Sequence, residues 1–162
     1  MTTYVALIRG IMPTNPNMKG ASLKTAFEML NLENVTPVIA SGNIVFQSDT
    51  KDITKLEAEL EKVMEKNLGF KRDVIIRSQE DLERLVKKDP FKNIEDKKPN
   101  YLVVTFFKDR KKELCATIKL TEGKTPDFMR EVEKNYGKQI TTRTWKTVGR
   151  ILKAMEKFDN KI

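Results

Sequence analysis

Histidine is absent from this 162-residue chain, and cysteine occurs once, at Cys115. Without histidine there is no ordinary general base near neutral pH, and the commonest transition-metal ligand is missing. One thiol cannot assemble a zinc, copper or iron–sulfur site, so no metal and no cofactor is expected. Carboxylate-only magnesium or calcium sites pass this filter, but the sequence holds neither an EF-hand loop nor a Walker A pattern. A single cysteine also cannot form an internal disulfide, which suits a reducing compartment. Long apolar runs are lacking too, none approaching the roughly 20 residues that cross a bilayer. The opening Met1-Thr2-Thr3-Tyr4-Val5 has neither the basic nor the apolar region of a secretory signal. A cytoplasmic location is therefore expected.

What the chain does have is positive charge, and it is unevenly placed. The formal net charge is +8. Residues 1–77 carry 10 Lys/Arg against 9 Asp/Glu, whereas residues 78–162 carry 21 against 14. The second half thus points to an anionic partner, although basic proteins also use such charge for solubility.

Hydrophobic periodicity divides residues 1–77 into strand, helix, strand, strand, helix and strand. Thr3–Ile8 opens as a strand. Leu23, Ala26, Phe27 and Leu30 predict one helical face, with Ser22 as N-cap. Val35–Ala40 and Asn43–Gln47 predict two strands around Ser41-Gly42. Ile53, Leu56, Leu60, Val63, Met64 and Leu68 stripe a second helix that Gly69 ends, and Val74-Ile75-Ile76 closes the unit. This βαββαβ order is the ferredoxin-like plait, in which the second strand lies at an edge. Pro37 in that strand agrees, because proline is confined to sheet edges, strand starts and bulges.

Residues 78–162 predict a degenerate second module with one extra helix. Ser78 opens a helix carrying Leu82, Leu85 and Val86 that ends at Asp89-Pro90. Tyr101–Phe107 and Glu113–Leu120 pair as a hairpin through the charged turn Lys108–Lys112. Thr125-Pro126-Asp127 reads as a helix start, with Phe128, Met129, Val132 and Tyr136 as its apolar side and Gly137 as its stop. A strand over Gln139–Thr142 and a helix over Trp145–Lys157 follow. The expected architecture is α+β, two tandem ferredoxin-like modules over 1–77 and 78–162, the second degenerate.

Four segments carry a family resemblance. Arg9-Gly10-Ile11 ends the first strand, Ser41-Gly42-Asn43 makes the hairpin and Asp89-Pro90-Phe91 follows the third helix. Thr142-Arg143-Thr144-Trp145-Lys146-Thr147-Val148 enters the last helix. In this order they resemble the bacterial family called domain of unknown function 1697. The resemblance runs over nearly the whole chain and implies tandem ferredoxin-like modules. It implies no activity, substrate or cofactor. Members continue Arg-Gly-Ile with Asn-Val-Gly-Gly, where this chain has Met12-Pro13-Thr14-Asn15-Pro16-Asn17. The family's Arg-Asn-Trp-Asn reads Arg143-Thr144-Trp145-Lys146, so Lys146 is an added charge and Thr144 takes the capping place. Between Phe107 and Thr121 the chain is shortened, which predicts a smaller second sheet.

The candidate ligand-binding residues are Arg9, Ser41, Asn43, Arg143, Lys146, Arg150 and Lys153. Arg9 could hold an anion at the end of a central strand, or serve as a salt-bridged strand end. Ser41 and Asn43 could offer a hydroxyl and an amide, or simply form a turn that needs φ > 0 at Gly42. No histidine is present to activate Ser41 as a nucleophile. Trp145 reads as a core anchor and Cys115 as inert core. In the last helix, Lys146, Arg150, Lys153 and Lys157 recur at spacings of 4, 3 and 4. At about 100° per residue they fall within roughly 60°, opposite Val148, Ile151, Leu152 and Met155. Like charges four apart cost a few tenths of a kcal/mol per pair, a cost that folding does not require. The stripe reads either as a binding footprint or as a solvated face.

These features favour a non-catalytic module for a polyanion or a phosphorylated small molecule, acting as monomer or homodimer. A protein-interaction domain using its sheet edges is the alternative. A third reading is an enzyme with its site around Arg9, Asn43 and Arg143, its acid–base group unassigned. Reading of single-stranded RNA by stacking is disfavoured, because Asn43-Ile44-Val45-Phe46-Gln47 has one aromatic and no basic residue. Sequence-specific nucleic-acid binding is accordingly not expected.

Overall fold

The run Tyr4-Val5-Ala6-Leu7-Ile8 is buried at every position because its strand is covered on both faces. The computed structural model describes residues 1–40, 42–108, 113–119 and 128–159. Among these described residues the first half contains β1 (Thr2–Ile8), α1 (Gly20–Phe27), β2 (Glu33–Pro37), β3 (Asn43–Ser48), α2 (Ile53–Leu68) and β4 (Val74–Ser78). The second half contains α3 (Gln79–Lys87), β5 (Asn100–Phe107), β6 (Glu113–Lys119), α4 (Phe128–Tyr136), β7 (Ile140–Thr144) and α5 (Trp145–Glu156). The strands form two antiparallel sheets, ordered β2-β3-β1-β4 and β6-β5-β7.

In the first sheet, alternate side chains serve two different cores, as the period of two in a strand requires. Tyr4, Ala6, Ile8, Phe46 and Ile76 meet Leu23 and Phe27 of α1 and Leu56, Leu60 and Met64 of α2. Val5, Leu7, Val45 and Ile75 point the other way. They join Leu82 and Leu85 of α3, Val104 and Phe106 of β5 and the apolar face of α5 in one cluster. One core therefore draws on residues from both halves of the chain. Two helices on one face and the Pro37 strand at the edge are what the βαββαβ pattern expects. Among the described residues the second sheet has three strands and does not repeat that order.

Element ends follow local chemistry. α2 starts where Asp52 Oδ1 accepts from the Lys55 N–H at 3.1 Å, and it stops at Gly69 in the left-handed region. Ser78 and Asp81 form a reciprocal capping box at the start of α3. Replacing Ser78 by Ala removes the acceptor of the Asp81 N–H and is expected to lower stability by about 1 kcal/mol. The readout is a lower urea midpoint at unchanged slope.

Several boundaries differ from the sequence pattern. Ser22 lies inside α1, whose N-cap is Lys19, and its hydroxyl donates to the Pro16 carbonyl at 2.9 Å. A one-turn 3-10 helix over Pro16–Met18, capped by Asn15, starts the helical path earlier than apolar spacing shows. Leu30 lies beyond α1 yet still packs on the core below it. β2 runs over Glu33–Pro37 rather than Val35–Ala40, because Asn34 and Ile39 take positive φ and the pairing with β3 shifts register. Val86, Met129 and Tyr136 are exposed rather than core, and only Val132 of α4 is buried. The expected helix start at Thr125-Pro126-Asp127 and the turn over 109–112 lie outside the described residues.

The outer edge of β4 is closed by carboxylates. Glu61 Oε1 accepts from the Val74 N–H at 3.1 Å and Glu57 Oε2 from the Ile76 N–H at 2.9 Å. Asp81 Oδ2 accepts from the Ser78 N–H at 2.9 Å. Three alternate outward donors that could recruit another strand are thus already bonded.

Candidate functional site

Residues from the ends of β1, β3 and β7 meet at one place. In β7, Thr141 and Arg143 point inward toward the first sheet, and Arg143 is only 8% exposed. Its Nε donates to Asn43 Oδ1 at 2.6 Å, and Nη1 donates to Thr141 Oγ1 at 2.6 Å and to the Thr142 carbonyl at 3.0 Å. Nη2 donates to the Ile8 carbonyl at 3.0 Å and, more weakly, to that of Gly42 at 3.4 Å. All of these acceptors are neutral oxygens. Burial alone pushes the guanidinium pKa down to about 10, so the group stays charged at neutral pH.

Asn43 is fully buried, and its Nδ2 donates to the Val38 carbonyl at 3.0 Å, which closes the β2–β3 hairpin. Its amide therefore holds the turn and Arg143 together. Gly42, at φ +77°, gives its carbonyl to the Ile8 N–H at 2.9 Å. Ser41 lies outside the described residues.

Arg9 stands at the end of β1 and bridges to α4 and β7. It forms a salt bridge with Glu133 and donates to the carbonyls of Lys138 and Ile140. Arg9, Gly10 and Arg143 line a cavity of about 650 Å³ together with Tyr101, Met129 and Thr142. The structure thus brings Arg9, Asn43 and Arg143 into one neighbourhood, but Asn43 sits behind Arg143 rather than in the cavity wall.

The other candidates sit elsewhere, on α5. Thr144 caps this helix, its Oγ1 accepting from the Thr147 N–H at 3.2 Å. Trp145 at the helix start packs edge-on against Phe91, with ring centroids 5.2 Å apart, and contacts the shared core. Val148, Ile151, Leu152 and Met155 are buried, while Lys146, Arg150, Lys153 and Lys157 are exposed. Among the described residues none of these four cations has a salt-bridge partner. Arg150, Lys153 and Lys157 form one wall of a groove of about 470 Å³ whose other wall is Pro37, Val38 and Ile39. A further hollow, about 520 Å³ between α2 and the start of β2, contains none of the candidates.

Sequence reasoning missed a second buried arginine. Arg77 of β4 is 1% exposed and donates from Nη1 to the Ile76 carbonyl at 3.1 Å and from Nη2 to the Phe107 carbonyl at 2.6 Å. Its Nε is 3.6 Å from Glu113 Oε1, and its guanidinium lies 5.7 Å from the Phe106 ring centre. Lys108 reaches back to Glu61, with Asp73 at 3.8 Å. The signal was available: Arg77 ends a wholly apolar run, and Glu57 falls on the apolar face of α2 between Ile53 and Leu60. Cys115 is half-buried against the shared core, and burial, aided by Glu113, pushes its thiol pKa up, away from reactivity.

Among the described residues no group of three or more His, Cys, Asp or Glu side chains could hold a metal ion, and no helix is long and apolar enough to cross a membrane. The chain belongs to the family described as protein of unknown function DUF1697, whose model matches residues 1–136. Arg143 and the α5 cations lie beyond the matched residues. No curated protein matches the chain. Among solved structures it is similar to the conserved bacterial protein SP0830 from Streptococcus pneumoniae. The TM-score is 0.72 at 23% identity, over 96% of this chain and 99% of that one. At that identity the likeness concerns the fold.

Proposed function

We propose that the protein is a non-catalytic module that binds polyanions, without sequence preference, through the exposed face of α5. The observation that carries this reading is the stripe of Lys146, Arg150, Lys153 and Lys157, solvent-facing and without carboxylate partners among the described residues. The helix beneath is fixed by four buried apolar side chains and the Trp145 anchor, so the cations are presented on a rigid rod. Phosphate contacts release counterions, and about four of them give a log–log salt slope near −3 to −4 on duplex DNA. Replacing Arg150 and Lys153 together by Gln should reduce that slope by roughly 2. Stability should change by no more than about 0.5 kcal/mol, as for other exposed substitutions. Fluorescence anisotropy with duplex DNA, RNA and heparin at two salt concentrations is the test. Absence of binding at low salt, or unchanged binding by the double variant, would sink the reading.

The groove beside the stripe favours a second reading, a phosphorylated small molecule. Ile39 lines it at φ +59° while 42% exposed. A β-branched residue in the left-handed region is strained, and such strain collects at functional places. Competition of a mononucleotide with DNA for the stripe would favour this version. The closed outer edge of β4 takes that one edge away from the alternative of assembly through sheet edges. This reading treats the halves as ferredoxin-like modules meeting at residues 77 and 78, the second reduced to three strands. It places the protein, with its single half-buried thiol, in the cytoplasm.

A further inference from the structure

We propose that the cavity at the ends of β1 and β7 is a second, separate ligand site, for a small carboxylate with an apolar body, and that Glu133 competes with that carboxylate for Arg9. Three observations converge. The first is the chemistry of the walls. Tyr101 and Val103 of β5, Ile118 of β6, Phe128 and Met129 of α4 and Ile140 of β7 are six of its eleven lining residues, and Tyr101 and Met129 are 38% and 37% exposed. Half-exposed apolar side chains around a cavity of about 650 Å³ suit the body of a small organic molecule.

The second is charge. The described partners of Arg143 are an amide oxygen, a hydroxyl and carbonyls, none of them a carboxylate. Neutral dipoles solvate its charge without cancelling it, so the cavity wall keeps a net positive potential that attracts an anion. The donors of Arg143 are occupied, so it acts at a distance and direct contact falls to Arg9.

The third is the pairing of Arg9. Arg9 lines the cavity, and its guanidinium is paired with the Glu133 carboxylate, which is not itself a lining residue, the two side chains being 25% and 30% exposed. A partly solvated ion pair is weak enough to exchange. An incoming carboxylate presents the same planar pair of oxygens as Glu133 and can replace it on Arg9. Glu133 then swings into solvent, and the apolar body covers Tyr101 and Met129. One reachable guanidinium matches a monoanion better than a doubly charged phosphate.

The test uses 2-naphthoate, its neutral analogue 2-naphthamide and 2-naphthyl phosphate, titrated by calorimetry against the full chain. Naphthoate is expected to bind and naphthamide not. Glu133→Gln removes the internal competitor, and naphthoate should then bind about tenfold more tightly, the value of one charge-assisted contact. Arg9→Gln should lose binding. Met129→Trp, which fills the cavity and leaves every charge in place, should lose it as well, so the result does not hang on one variant. The α5 variant carrying Arg150→Gln and Lys153→Gln should bind naphthoate as the parent does, which separates this site from the polyanion face. Naphthamide binding as well as naphthoate, stronger binding of naphthyl phosphate, or no gain from Glu133→Gln would each overturn the proposal.

Discussion

Arg143→Ala is expected to lower the stability of the chain by about 1–3 kcal/mol for each buried neutral acceptor it leaves unsatisfied. The substitution strips the Asn43 amide oxygen and the Ile8 and Gly42 carbonyls of a donor in a place that water does not reach. It also unties β7 from the ends of β1 and β3. Arg143→Lys should recover only part of the loss, since an ammonium has three donors and no planar fork. Urea unfolding of the three proteins checks this, with order parent, Lys, Ala in midpoint. A midpoint for Ala within experimental error of the parent would mean the network is ornamental. The pH dependence has a definite sign. Below about pH 10 the residue is charged in folded and unfolded chains alike, and its burial cost is constant. Between about 10 and the ordinary arginine value the folded form loses its proton first, so this residue's contribution rises with pH.

Gly42→Ala should cost about 2–4 kcal/mol, combining a left-handed alanine with a forced repacking. At φ +77° an added Cβ would lie 2.5 Å from Ile11 Cγ1 and 3.0 Å from the Ile8 carbonyl oxygen. The latter is backbone that Arg143 also holds, so it cannot yield without disturbing the same network. Gly69→Ala is the control: its φ is also +77° but an added Cβ would meet nothing within 4 Å. Its loss should be confined to the conformational part, about 1–2 kcal/mol. Equal losses at the two positions would show that the crowding at Ile11 is relieved cheaply.

Periodicity made the helices and most of the strands legible. α2 was bounded from Ile53 to Gly69 because stripe, cap and stop all agree there. The face of α5 was legible for the same reason: four apolar and four basic residues alternate at helical spacing, and burial sorts them as the pattern says. What escaped was burial and pairing set by partners distant in sequence. Arg9, Asn43 and Arg143 were grouped from the sequence, but that Arg143 is buried against Asn43, 100 residues earlier, follows only once β7 is paired with β5. Arg77 finds Phe107 and Glu113 only across the two sheets. Glu57 was obscured because a carboxylate on an apolar face reads as noise unless the unpaired edge it covers is known. The start of α1 was misplaced because the 3-10 turn over Pro16–Met18 has no hydrophobic period of its own.

The shared core has a consequence for synthesis on the ribosome. Val5, Leu7, Val45 and Ile75 are all made by the time β4 emerges, yet the α5 residues that complete their cover are encoded about 70 residues later. At translation rates of about 5–20 residues per second, that interval lasts roughly 4–14 seconds. During it the first sheet can form and cover its other face with α1 and α2, while α3 and β5 can give this face only part of its cover. A nascent chain paused in that interval leaves the part of this face that α5 covers open to whatever is near. Only when α5 has been made is that cover complete.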